Sequence, residues 1–210
     1  LLKIYHTYLG MCKTIEDSIF SGALSYLTGG LLIATGKPKY IWLGAFVLTV
    51  GTMQWVDASL WYSLQQRAST AAISLFVPVV LLLEILVAYG GYVYYYGKRM
   101  PLYEVVMIPF MLSVLYSWFK YSTETVVTKD GYLMWGNYEI SSFGKIMFLL
   151  LLIFPFIFYP DDFIKYSLFA VLIPIFVYTF TQKEFGSRWC QSFFIFDIIV
   201  LGKLFLPPST

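Results

Sequence analysis

The chain has 210 residues, 59% of them hydrophobic, 20% aromatic and only 12% charged, with a formal net charge of +2. A soluble domain carries about 25% charged residues, so this composition and a mean hydropathy of +0.73 exclude an ordinary water-soluble globule. So small a net charge, with no basic stripe, also argues against nucleic acid as a partner.

The opening stretch 1–13 lacks the roughly 7–15-residue apolar core of a secretory signal peptide, so the first hydrophobic helix is expected to direct insertion by itself. Apolar runs between breakers then predict seven spans, over 18–35, 40–62, 70–96, 102–121, 145–159, 163–181 and 187–206. Crossing a hydrocarbon core of roughly 30 Å takes about 20 helical residues. The fifth run is brief, and is expected to tilt less or to break near Pro155. Links such as Gly36-Lys37-Pro38-Lys39 and Tyr159-Pro160-Asp161-Asp162 are short and rich in turn formers, which makes successive helices antiparallel neighbours. One connection, 122–142, is long. It carries Thr125-Val126-Val127-Thr128 and Tyr132-Leu133-Met134-Trp135 around Asp130-Gly131, the pattern of a small β-hairpin capping the bundle at the membrane surface. The expected fold is therefore all-α: a single polytopic membrane bundle over 1–210, with an N-terminal segment 1–17 and the hairpin between helices four and five.

Seven spans put the termini on opposite sides, here termed A for the N-terminal side and B for the other. Lys and Arg divide eight to A and six to B, too even for the positive-inside rule to set the orientation. Tyr and Trp cluster at span ends, as in Tyr40, Trp42, Trp61 and Tyr62, and anchor helices at the interfaces.

Three acids lie inside these spans. Glu84 is central in the third and Asp197 is deep in the seventh, while Asp57 lies nearer side A in the second. At 1.5 Å per residue, Glu84 is roughly 18–20 Å, Asp197 about 15–16 Å and Asp57 about 8–12 Å from the A surface. A carboxylate at mid-span costs on the order of 2.5–3.5 kcal/mol on insertion scales, so such residues are candidate functional groups. Gln54, Asp57 and Trp61 share one helix face, which should turn inward. No Lys or Arg is placed at that depth, so the acids are protonated, bonded to hydroxyls such as Ser59, Ser74 and Tyr89, or neutralised by a bound cation.

Several chemistries lack their residues. His6 is the one histidine, so the usual zinc ligand set is missing, and neither a nucleophile elbow nor a phosphate-binding glycine loop occurs. No cofactor or metal is expected. Lys203 lies too near side B for a mid-span Schiff base. Cys12 and Cys190 both fall at side A; a disulfide between them is geometrically open, with two free thiols the simpler reading. An intramembrane lipid enzyme pairing Glu84 with Asp197 has neither metal ligands nor a nucleophile beside them.

Four short patterns occur together: Met11-Cys12, Gln54-x-x-Asp57-x-x-x-Trp61, Pro78 inside span three, and Gly186-Ser187-x-Trp189-Cys190. This layout resembles a group of seven-helix membrane proteins of unassigned function found in bacteria, in algae and in large DNA viruses of algae. The chain departs from that pattern in the ten residues before Met11 and in Asp57, where Glu is commoner. The resemblance implies the seven-helix architecture and a gathering of Gln54, Asp57, Trp61, Ser187, Trp189 and Cys190 at one mouth, which their depth places on side A, where Cys12 also lies. It also implies, in a viral setting, an inner-membrane component beneath a capsid. The expected function is a non-enzymatic structural or accessory subunit, with the bilayer and other membrane or capsid-type subunits as partners. The alternative is a proton, cation or small-solute transporter working through the intramembrane acids.

Overall fold

The computed structural model describes residues 13–181 and 185–205, the side chains of 185–192 excepted. Among the described residues the chain forms seven long helices and one two-stranded antiparallel sheet: α1 (Ile15–Ala34), α2 (Pro38–Gln65), α3 (Ala71–Tyr96, interrupted at Leu75), α4 (Pro101–Tyr121), β1 (Val126–Val127), β2 (Leu133–Met134), α5 (Ser142–Ile157), α6 (Asp162–Thr179) and α7 (Phe185–Phe205). Four of them, α2, α3, α4 and α6, are long and apolar enough to cross a membrane. Local chemistry sets the helix ends. Thr14, Ser141 and Asp161 cap α1, α5 and α6 by accepting the amides of Asp17, Gly144 and Ile164. Pro38 and Pro101 open α2 and α4 where a missing N–H costs nothing. Gly97 ends α3 at φ +64°, a left-handed conformation suited to glycine.

The α1–α2 pair shows how the bundle is held. The buried face of α1 is Ser18, Ser21, Gly22, Ser25, Thr28, Gly29 and Leu32, at spacings of three and four. Leu32 apart, its exposed side carries large apolar residues, including Phe20, Leu27 and Leu31. Small inward residues let the two backbones approach closely. A Cβ on Gly29 would lie 2.8 Å from the Gly44 carbonyl oxygen, and one on Gly44 would lie 2.7 Å from that of Gly29. Gly51 meets Ser25 in the same way, which sets an antiparallel register along the pair.

Proline and aromatic donors attach α4. Pro78 cannot donate to the Ser74 carbonyl four residues back, and the Trp118 indole N–H takes that acceptor at 3.1 Å. Pro155 likewise frees the Leu151 carbonyl, which accepts from the Tyr103 hydroxyl at 2.5 Å. Satisfying freed backbone groups from a neighbouring helix is what a low-dielectric surround demands. The helix α5 runs on two residues past Pro155 and ends at Ile157.

The hairpin forms with the expected turn: Val126 faces Met134, Val127 faces Leu133, and Gly131 has φ +79°. It is set deeper than a flat surface cap, for Thr125, Tyr132, Leu133 and Trp135 are all buried. Lys145, counted among the side-A surface cations, is buried as well. Its Nζ donates to the Phe180 carbonyl at 2.9 Å, serving the C-terminal end of α6.

Candidate functional site

Asp57, Glu84 and Asp197 are 0%, 1% and 0% exposed, so all three acids face the interior as their helix faces suggested. Gln54 and Trp61 are buried on the same face of α2 as Asp57. Packing fixes their relative heights. Gly91 of α3 lies against Trp42 of α2, and seven residues on in each antiparallel helix brings Glu84 level with Thr49. Asp197 accepts from Ser25, which abuts Gly51, so Asp197 is at nearly the same level. Asp57 is about 9–12 Å further toward side A at 1.5 Å per residue.

Each carboxyl answers to a different element. Asp57 Oδ1 accepts the Trp135 indole N–H at 2.7 Å, which ties the hairpin to α2. Asp197 Oδ2 accepts the Ser25 hydroxyl at 2.5 Å, which ties α7 to α1. Among the described residues the second oxygens, Asp57 Oδ2 and Asp197 Oδ1, have no hydrogen-bond partner, and neither does Glu84 Oε2. Among the described residues none of the three is in an ion pair.

The expected hydroxyl partners are engaged elsewhere. Ser59 donates to the Trp55 carbonyl, Ser74 to that of Thr70, and Tyr89 to Glu104. A hydroxyl one turn from its own carbonyl bonds back along the helix, so composition and depth alone could not pick the partner. Cys12 and the side chains of Ser187, Trp189 and Cys190 lie outside the described residues. Among the described residues no group of three His, Cys, Asp or Glu is placed to hold a metal ion.

A fourth acid, Glu124, organises the A-side end of the bundle. It accepts from the Ser69 hydroxyl at 2.5 Å, the Thr70 amide at 2.5 Å and the Thr70 hydroxyl at 2.6 Å. The start of α3 has no acid in its own first turn, and Glu124 supplies the missing negative charge from the loop. Thr70, Ser74, Thr125 and Gly136 continue the network into the hairpin. The sequence signal was a helix starting at Ser69-Thr70 without a following carboxylate, together with Glu124 among the threonines that open the long loop.

Hydrogen bonds from the Ser69 hydroxyl, then from Thr70, hold the Glu124 carboxyl below the usual glutamate range. Its folded pKa is thus below the unfolded value of about 4.3. The stabilisation is present above that value and is lost as pH falls through the folded pKa. The Glu124→Gln variant is expected to lose part of the acid-side drop in melting temperature, measured from pH 6 down to about pH 3. An unchanged acid limb would show that Glu124 does not hold the hairpin to α3.

Comparison with protein-family models, with curated proteins and with solved structures gives no match for this chain.

Proposed function

We propose that the chain is a seven-span, multi-pass integral membrane protein that serves as a structural or accessory subunit of a membrane assembly, without catalysis of its own. The observation that carries this reading is the inverted polarity of α1. Ser18, Ser21, Ser25 and Thr28 are buried while Phe20, Leu27 and Leu31 face out, although α1 is not one of the four helices long and apolar enough to cross a membrane. In water that arrangement would expose the greasy side; in lipid it is the favourable one. The outer helix α4 extends the same logic, with Leu102, Val105, Ile108, Leu112 and Phe119 all exposed. These surfaces suit acyl chains or the helix of a neighbouring subunit. What supports a structural role is where the polar groups are engaged: buried Asp57 holds the hairpin and buried Asp197 holds α1, while nearer the surface Glu124 holds the start of α3 and Lys39 pairs with Asp161 at 2.9 Å across the B side. Membership of the seven-helix group that the short motifs resemble, and a capsid-type partner, belong to this proposal.

One observation favours the transport reading: a buried oxygen of each of Asp57, Glu84 and Asp197 has no hydrogen-bond partner among the described residues. The two readings separate in one experiment. The tagged chain is purified from its native membrane in mild detergent, and proton and sodium flux are measured in proteoliposomes. Copurification of a partner in fixed stoichiometry, with flux no greater than in empty liposomes, is the expected result. Flux abolished by Asp57→Asn, Glu84→Gln and Asp197→Asn together, with no partner recovered, would reject the structural role.

A further inference from the structure

We propose that a cavity between α3, α4 and α5 holds one acyl chain of an anionic phospholipid, with the lipid head group over the start of α5 on side A. The inference rests on the membrane reading above and adds a ligand to it. The cavity follows from how α4 is attached. Tyr103, Met107 and Trp118 are the buried side chains of this helix, and Tyr103 and Trp118 are the ones that fasten it to α5 and α3. Between Met107 and Trp118 a space of about 140 Å³ remains. Its walls are Pro78, Leu81 and Leu82 of α3, Phe110 and Val114 of α4, and Phe148 of α5.

Size and lining exclude water as the occupant. An apolar cavity of about 150 Å³ stays dry and takes up hydrocarbon. Ser113, the one hydroxyl deep on the α4 wall, bonds back to the Phe110 carbonyl at 2.7 Å. Phe143 of α5 lines the same cavity and is 70% exposed, so the gap between α4 and α5 opens sideways at the outer surface. From Phe110 to Ser117 the wall is about 10 Å long at 1.5 Å per residue. That fits inside one leaflet, about half of a core of roughly 30 Å. The side opening leaves the second chain of a phospholipid in the bilayer.

The remaining polar lining groups gather at the A-side end and name the head group. Ser117 is near the end of α4, Tyr138 follows the hairpin, and Ser141 and Lys145 are at the start of α5. Among the described residues no Asp or Glu lines the cavity. The first turn of α5 has no acid, so its amides add partial positive charge beside the full charge of Lys145. Lys145 Nζ donates to the Phe180 carbonyl, which fixes it at this mouth. An apolar slot with a cationic, hydroxyl-bearing rim matches a phosphodiester of net negative charge, and a choline on that phosphate would meet repulsion.

The test titrates the full chain in detergent micelles with phosphatidylglycerol or phosphatidylcholine brominated at mid-chain, followed by tryptophan fluorescence, because Trp118 lines the cavity. Phosphatidylglycerol is expected to quench in a saturable phase of one lipid per protein, and phosphatidylcholine to need about tenfold more lipid. Val114→Phe fills the cavity and is expected to abolish that phase. Val106→Phe, in the open B-side groove between α4 and α5, is expected to leave it intact. Ser141→Asp keeps an N-cap acceptor for α5 while placing negative charge at the mouth. It is expected to weaken phosphatidylglycerol about tenfold without changing phosphatidylcholine, and it carries the test if Val114→Phe does not fold. A folded chain with no saturable phase, or a phase that survives both Val114→Phe and Ser141→Asp, would overturn the site and leave the membrane reading standing. Equal affinity for the two lipids would reject the anionic head group, and tighter binding of a brominated fatty acid would reject the phospholipid.

Discussion

The Gly91→Ala variant is expected to melt on the order of 10 °C below the parent protein in the same detergent. A Cβ at Gly91 would fall 1.7 Å from Trp42 Cδ1 and 2.3 Å from Cγ, inside the indole ring. Trp42 has little room to retreat. It is 1% exposed, stacked on Phe156 at 5.4 Å and edge-on to Tyr159 at 5.1 Å. Those two rings belong to α5 and to the link after it, and the Tyr159 hydroxyl in turn donates to the Lys39 carbonyl at 3.0 Å. Moving the indole therefore disturbs α2, α3 and α5 together. Overpacking of a tight core costs about 1–3 kcal/mol, and a clash this close belongs at the upper end. The neighbouring glycine is the internal control. Nothing lies within 4 Å of a Cβ at Gly90, so Gly90→Ala is expected to be neutral or slightly stabilising. Equal behaviour of the two variants would mean that α3 does not rest on Trp42.

The second large effect concerns Trp135. Trp135→Phe keeps the aromatic bulk but removes the indole donor, leaving Asp57 without its one described hydrogen bond. An orphaned buried acceptor costs about 1–3 kcal/mol, and more if charged. Asp57→Leu alone should be similarly costly, because it strands the Trp135 N–H instead. Trp135→Phe combined with Asp57→Leu is expected to recover much of the loss, since both polar partners go together. Tryptic cleavage at Lys129, the lysine of the hairpin turn, gives a local readout. It should accelerate in either single variant and slow again in the pair. Strict additivity of the two substitutions would show that the bond does not hold the hairpin.

Much of this architecture was readable beforehand, and the reason is lipid-scale hydrophobicity. Runs expected over 40–62, 70–96 and 102–121 became helices Pro38–Gln65, Ala71–Tyr96 and Pro101–Tyr121, bounded by the prolines and glycines that break helices. The Asp130-Gly131 turn placed the hairpin for the same local reason. Depth arithmetic on Glu84 and Asp197 also agrees with their equal height in the packed helices. Partner choice was not readable. Trp135 reaches Asp57 across 78 residues and Ser25 reaches Asp197 across 172, and no periodicity encodes such pairings. Lys145 misled for a related reason. A lysine at the start of a span looks like an interfacial cation, yet the end of α6 lies close enough to take its ammonium group. The inverted polarity of α1 was hidden too, because small polar residues lower a hydropathy sum without saying which way they face.

The proposed membrane bundle requires acyl chains to bathe the outside of α1 while its hydroxyls stay hidden. Single spin labels scanned along 18–32 in liposomes test this directly. Labels at Phe20, Leu27 and Leu31 should collide readily with oxygen and poorly with a water-soluble nickel chelate, while labels at Ser21, Ser25 and Thr28 should be shielded from both. Free access of the chelate to Phe20, Leu27 and Leu31 would place that face in water and contradict the membrane bundle.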